Sequence, residues 1–241
     1  MTPVPAPETG EIKPSVAAGI TGMFNVFIDP AATAKAAKAP LFWLWPLLLC
    51  GLIRIVLGWL SVPIMLDILS KNPPQGLSGE QLERTMSISS VMYRVIAFAS
   101  PLFIAGWAAL IAGLIMLFYS MVSVRAKFRD VFSLVCACSL ISTLHVIAAF
   151  FVIRAKAGDL QSFQQLSPPF GLDIFFPDLK GPLYAFLNFF SLFEIWYLVI
   201  LIFGLAYLTG SSRGKAFFAA IPVWLLGLLA AIIGSLFAKN Q

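Results

Sequence analysis

LFWLWPLLLCGLIRIVLGWLSVPIM, residues 41–65, holds a single charged residue, Arg54, in a mostly apolar run. A helix that crosses a hydrocarbon core about 30 Å thick needs roughly 20 such residues, and this stretch supplies them. In lipid the backbone N–H and C=O groups have no water to bond. The segment must therefore satisfy them internally, as an α-helix. Four more runs read the same way: 93–122, 131–153, 183–208 and 216–238. None alternates apolar and polar residues with period two, the pattern of a half-buried strand. The expected fold is all-α: a polytopic membrane protein with five transmembrane helices.

Composition agrees. Of 241 residues, 60% belong to the AVILMFWYC set and 11% are charged, where a soluble domain carries about 25% charged residues. So few charges could not cover a soluble surface of this size. The net charge is +5. In a membrane protein such an excess sets topology and meets anionic headgroups. No basic-aromatic module accompanies it, so no nucleic acid is expected as a partner. Cys50, Cys136 and Cys138 lie inside apolar runs, and an odd number there is not a disulfide framework. Cys136 and Cys138 are two apart and point to different faces of a helix, which is poor metal geometry. There is one histidine and no carboxylate cluster, and no nucleophilic serine in the strained setting of a hydrolase. No catalytic residue, metal or cofactor is expected, and the protein reads as non-enzymatic.

The chain divides into three parts. Residues 1–18, with Pro3, Pro5, Pro7, Pro14, Glu8 and Glu11, read as a disordered tail and not as a signal peptide. Residues 19–39 read as a helical elbow. Ile20, Met23, Phe24 and Phe27 fall at i, i+3, i+4 and i+7, an apolar stripe suited to an amphipathic interfacial helix. Asp29 and Pro30 then read as the N-cap and first residue of a second short helix. Residues 40–238 are the bundle. Two connections are tight, 123–130 and 209–215; two are long, 66–92 and 154–182. The tight ones hold Arg125, Lys127, Arg129, Arg213 and Lys215, and the N-terminal flank adds Lys35 and Lys38. The positive-inside rule then expects a cytosolic N-terminus and an outer C-terminus.

Several stretches resemble the Yip1 domain family, its bacterial branch in particular. They are 24–30 (FNVFIDP), 40–46 (PLFWLWP), 127–132 (KFRDVF), 193–198 (FEIWYL) followed by Gly204, and 210–216 (GSSRGKA). The resemblance runs over about residues 20–237. It marks Phe27, Asp29, Pro30, Trp196, Gly204 and Lys215 as family-motif residues. It implies five spans, a cytosolic N-terminus and, for a bacterial member, the inner (cytoplasmic) membrane. Eukaryotic members are linked to vesicle traffic and prenylated small GTPases. The chain departs from them in lacking a long cytosolic N-terminal region, so that role is not carried over.

Ionisable residues inside spans are functional candidates, because burying a charge in lipid costs at least a few kcal/mol. Arg54, His145 and Glu194 are such residues. At 1.5 Å per residue, Arg54 and His145 lie about 20 Å from the cytosolic ends of their helices, and Glu194 about 16 Å from the outer end of its own. The three share a depth. An Arg54–Glu194 ion pair is expected, with His145 as the reserve partner. The other reading is a polar site for a proton, an ion or a lipid headgroup. Three glycine pairs seven apart, Gly51 and Gly58, Gly106 and Gly113, and Gly227 and Gly234, are expected to bring helices together. The expected function is that of a membrane adaptor or bilayer organiser whose partners are the lipid bilayer and other membrane proteins or a second copy. The alternative is a small transporter or channel built on the polar cluster.

Overall fold

The computed structural model describes residues 20, 22–73, 78–160, 163–176, 179 and 181–238. The expected tail at 1–18 lies outside them. Among the described residues the α-helices are α1 (Pro30–Ala37), α2 (Leu44–Lys71), α3 (Gly79–Met121), α4 (Phe128–Ala155), α5 (Pro182–Phe189), α6 (Leu192–Thr209) and α7 (Arg213–Ala238), and there is no strand. Five of them, α2, α3, α4, α6 and α7, are long and apolar enough to cross a membrane.

Helix α4 is the centre of the bundle and packs on α1, α2, α3 and α6. Val131, Leu134, Val135, Cys136, Ala137, Cys138 and Ile141 are all buried on it. Cys136 and Cys138 do point to different faces, and both are covered because α4 is surrounded.

Two boundaries differ from the expectation. Helix α3 has 43 residues and starts at Gly79, not near Tyr93. Ser78 Oγ accepts from Gln81 N at 3.4 Å, and Gln81 Oε1 accepts from Ser78 N at 2.9 Å. This reciprocal capping box satisfies two of the helix's unpaired donors. With α2 running on to Lys71, most of the expected long connection is helix. The apolar run 183–208 is not one helix either. It breaks at Phe190 and Ser191 into α5 and α6, and Ser191 Oγ accepts from Glu194 N at 3.2 Å.

The N-terminal elbow is part of the core. Residues 22–24 are helical and continue into a 3-10 turn, Asn25–Phe27. Asp29 then caps α1, its Oδ1 accepting from Ala31 N at 3.0 Å and Ala32 N at 2.9 Å, with Pro30 in the first turn. The amphipathic stripe is split. Met23 is buried and Phe27 half-buried, whereas Ile20 and Phe24 are exposed. Val26, outside that stripe, is 0% exposed, as the tight 3-10 turn rotates it inward. Thr33, Ala34 and Ala37 bury the inner face of α1 against α4 and α6. The elbow is thus wedged into the bundle and does not simply lie on its surface.

Both tight connections and the elbow meet at one end. Arg129 Nη2 donates to Lys38 O at 3.0 Å, Trp43 packs on Phe132 at 5.7 Å, and Phe118 meets Phe218 edge-on at 6.2 Å. Gly210 turns α6 towards α7 with φ +65°, the left-handed conformation that favours glycine.

Candidate functional site

At the other end, residues 163–176 and 181–190 fold into a cap over the bundle. Asp173 is its knot and is 1% exposed. Its Oδ1 accepts from Gly171 N at 3.0 Å and its Oδ2 from Asn188 Nδ2 at 2.9 Å. Tyr184 donates its hydroxyl to Ser167 O at 2.7 Å, and Leu192 N donates to Phe170 O at 3.3 Å. Gly171 is required here, because a Cβ would stand 2.6 Å from Leu187 O and 2.7 Å from Asn188 O. The outer surface is apolar: Leu172, Ile174, Phe175 and Phe176 are all exposed, Phe175 at 74%. Such a row suits a bilayer boundary and would be an unusual patch in water.

The cap reaches the polar residues through Phe170. The His145 imidazole stacks on Phe193, centroids 5.1 Å apart and planes 2° from parallel, and Phe170 closes the cluster edge-on at 5.3 Å from His145. Arg54 lies within electrostatic reach of His145 and of the Cys50 thiol. Its Nε is buried without a hydrogen-bond partner, and its side chain is half-buried.

Glu194 does not join them. The ion pairs among the described residues are Lys71–Asp67 and Arg129–Asp130; none joins Arg54 to Glu194. The reason is helical geometry. Consecutive helix residues point roughly 100° apart. With Phe193 stacked on His145, Glu194 turns away, towards α7, where it approaches the Trp224 indole. Trp224 packs on Phe189 at 4.9 Å and Phe190 at 5.4 Å, and its Nε1–H completes no hydrogen bond. Glu194 also sits in the first turn of α6, where the helix N-terminus offers a carboxylate compensating partial positive charge. In place of the expected ion pair, Arg54 lies near His145 and Cys50, while Glu194, one residue on from Phe193 in α6, lies near Trp224. Arg54→Leu and Glu194→Leu should therefore lower the melting temperature additively, within about 0.5 kcal/mol in a double-mutant cycle. A coupling well above that would restore the pair.

The family-motif residues sit mainly along one seam. Phe27 packs on Trp196 at 5.7 Å. Asp29 and Pro30 start α1, which lies against α6. Gly204 is buried where a Cβ would meet Leu134 Cδ1 at 2.9 Å. Lys215 is apart from it, exposed in the first turn of α7. Residues 210–214, GSSRG, spell Gly-x-Ser-x-Gly, but they join two helices and not a strand to a helix. Ser212 Oγ accepts from Lys215 N at 3.4 Å, as a helix cap.

The glycine pairs behave unequally. A Cβ on Gly51 would lie 2.8 Å from Pro101 Cγ, and one on Gly58 2.6 Å from Ala97 Cβ, so α2 and α3 touch there. Gly227 meets Phe189 at an ordinary 3.6 Å. Gly106, Gly113 and Gly234 face open space, because they lie on the outward sides of α3 and α7.

No curated protein and no solved structure matches the chain. The family model for the Yip1 domain matches residues 24–234, a stretch that starts in the elbow and ends in the last span. With that match spanning the seam of Phe27, Asp29, Trp196 and Gly204, the chain belongs to the Yip1 domain family.

Proposed function

We propose that this chain is a non-enzymatic membrane adaptor or bilayer organiser of Yip1 type, resident in a bacterial inner membrane with its N-terminus in the cytosol. One observation carries the reading. Lys35, Lys38, Arg125, Lys127, Arg129, Arg213 and Lys215 are all exposed, and they belong to the elbow and the two tight connections, which meet at one end of the bundle. Arg129 and Arg213 have local work: Arg129 bonds Asp130 and Lys38 O, and Arg213 lies over the Phe203 ring at 4.7 Å. The others present charge outward, to anionic headgroups or to an acidic face of another membrane protein. The family-motif seam supports this, because it fixes the elbow that carries Lys35 and Lys38.

Reversing Lys127 and Lys215 to Glu together should leave the melting temperature unchanged and remove the partners that crosslink to the native protein in its own membranes. An unchanged crosslinking pattern would count against the adaptor. The second reading, a small transporter or channel, is favoured by the unpartnered Nε of Arg54 beside His145. It requires solute or ion flux in proteoliposomes of the purified protein that Arg54→Leu abolishes.

A further inference from the structure

Helices α2 and α3 are pinned at two points, Gly51 on Pro101 and Gly58 on Ala97. Beside that seam a groove of about 660 Å³ opens sideways. Its walls include Ile55, Trp59, Val95, Phe98 and Leu102, and the one charged residue lining it is Arg94. The volume is within the roughly 300–1,000 Å³ of small-molecule sites. Trp59, Val95, Phe98 and Leu102 are exposed, so the groove faces the surroundings of the bundle and not its core.

Arg94 is placed at a boundary. Between it and Arg125 the chain has no charged residue, so Arg94 is the first charge met beyond the apolar run of α3. Its side chain is exposed and makes no hydrogen bond or ion pair with any described residue. Its neighbours on the helix face, Ser90, Val91, Ala97 and Phe98, include no acid. A long basic side chain at this level extends towards the headgroups while its stem stays in hydrocarbon. Trp59 lies at the same end, as interfacial tryptophans do. An apolar trough therefore carries, towards its Val91 end, a forked cation that no described residue neutralises.

We propose that the α2–α3 groove is a phospholipid site: one acyl chain lies along Trp59, Phe98 and Leu102, and the lipid phosphate is held by the Arg94 guanidinium. The fork of N–H donors suits a phosphate. The fixed helix seam distinguishes this site from the fluid lipid shell, since its wall cannot close when the lipid leaves. The inference rests on the membrane fold alone and stands or falls independently of the adaptor reading.

The full-length protein in detergent is offered phosphatidylglycerol, diacylglycerol of the same chains, or inorganic phosphate, and retained molecules are weighed by native mass spectrometry. A phosphatidylglycerol with a photoreactive acyl chain then marks the contact. Retention of phosphatidylglycerol in preference to diacylglycerol is expected, with the label on peptides holding Trp59 and residues 95–102. Arg94→Gln should weaken retention about tenfold, the effect of losing one charge-assisted contact. Ala99→Phe, which fills the groove, should remove the label, and retention by Arg94→Gln is judged on its own if that variant fails to fold. Equal retention of diacylglycerol, competition by inorganic phosphate, a label spread evenly over all spans, or a crosslink to a second copy through the groove would each overturn the proposal.

Discussion

Gly58→Val is expected to destabilise the detergent-solubilised bundle by about 3 kcal/mol, the upper range for overpacking a tight contact. The first added carbon would already stand 2.6 Å from Ala97 Cβ and 3.5 Å from Ala97 Cα. Ala97 has no flexible end to swing aside, so the helices must part. Parting them loosens the most extensive helix pair in the protein. A helix gains up to about 1 kcal/mol when glycine is replaced by a better helix former, which does not offset the clash; even Gly58→Ala should lose stability. Gly106→Ala and Gly113→Ala supply the contrast. A Cβ there meets nothing within 4 Å, so both should gain up to about 1 kcal/mol. Thermal unfolding followed by circular dichroism ranks the variants. A neutral Gly58→Val would show that α2 and α3 are not in contact at Ala97.

Asp173→Ala is expected to release the cap, at about 3 kcal/mol of local stability. Gly171 N–H loses its acceptor and Asn188 Nδ2 keeps only its 3.4 Å bond to Pro168 O, and a buried group left unsatisfied costs about 1–3 kcal/mol. Gly171→Ala should act similarly, because its Cβ would run into two backbone carbonyl oxygens that no rotamer change can move. In both variants hydrogen exchange and proteolysis should increase across 163–190, while the spans hold. His145 is the one histidine in the chain. Its ring resonances should shift as Phe170 leaves, which gives a reporter inside the bundle. Unchanged protection of 163–190 in either variant would show that Asp173 does not hold the cap.

The five spans were legible because the requirement they meet is blunt: enough apolar length, with few charges. The elbow was legible for a different reason, since Asp29 followed by Pro30 is a local signal that acts within four residues. Two features were hidden although the sequence marks them. Ser78 with Gln81, and Ser191 with Glu194, share the spacing of a helix start. The first sat in a stretch whose charges resembled a loop, and the second sat inside an unbroken apolar run. If 183–208 were one helix, Glu194 would lie in mid-helix at the depth of Arg54; with α6 beginning at Leu192 it lies in a first turn. Depth along a span follows from counting residues, but azimuth depends on where each helix begins, and the stacking of Phe193 on His145 fixed that azimuth. The Asp173 knot was not legible at all: Gly171 is only two residues away, but no local pattern pairs Asp173 with Asn188, 15 residues further on.

Helix α3 has a mechanical consequence. Its 43 residues extend roughly 64 Å at 1.5 Å per residue, while a bilayer with its headgroups is about 40–45 Å thick. About 20 Å of a continuous rod must stand clear of the headgroups or be taken up by leaning. A rod clamped at Gly51 and Gly58 through its middle behaves as a lever with its fulcrum inside the lipid. When the membrane thins or thickens and α3 changes its tilt, the stretch from Gly79 to Arg94 sweeps an arc over the surface. A change of tilt in α3 would therefore displace that stretch laterally.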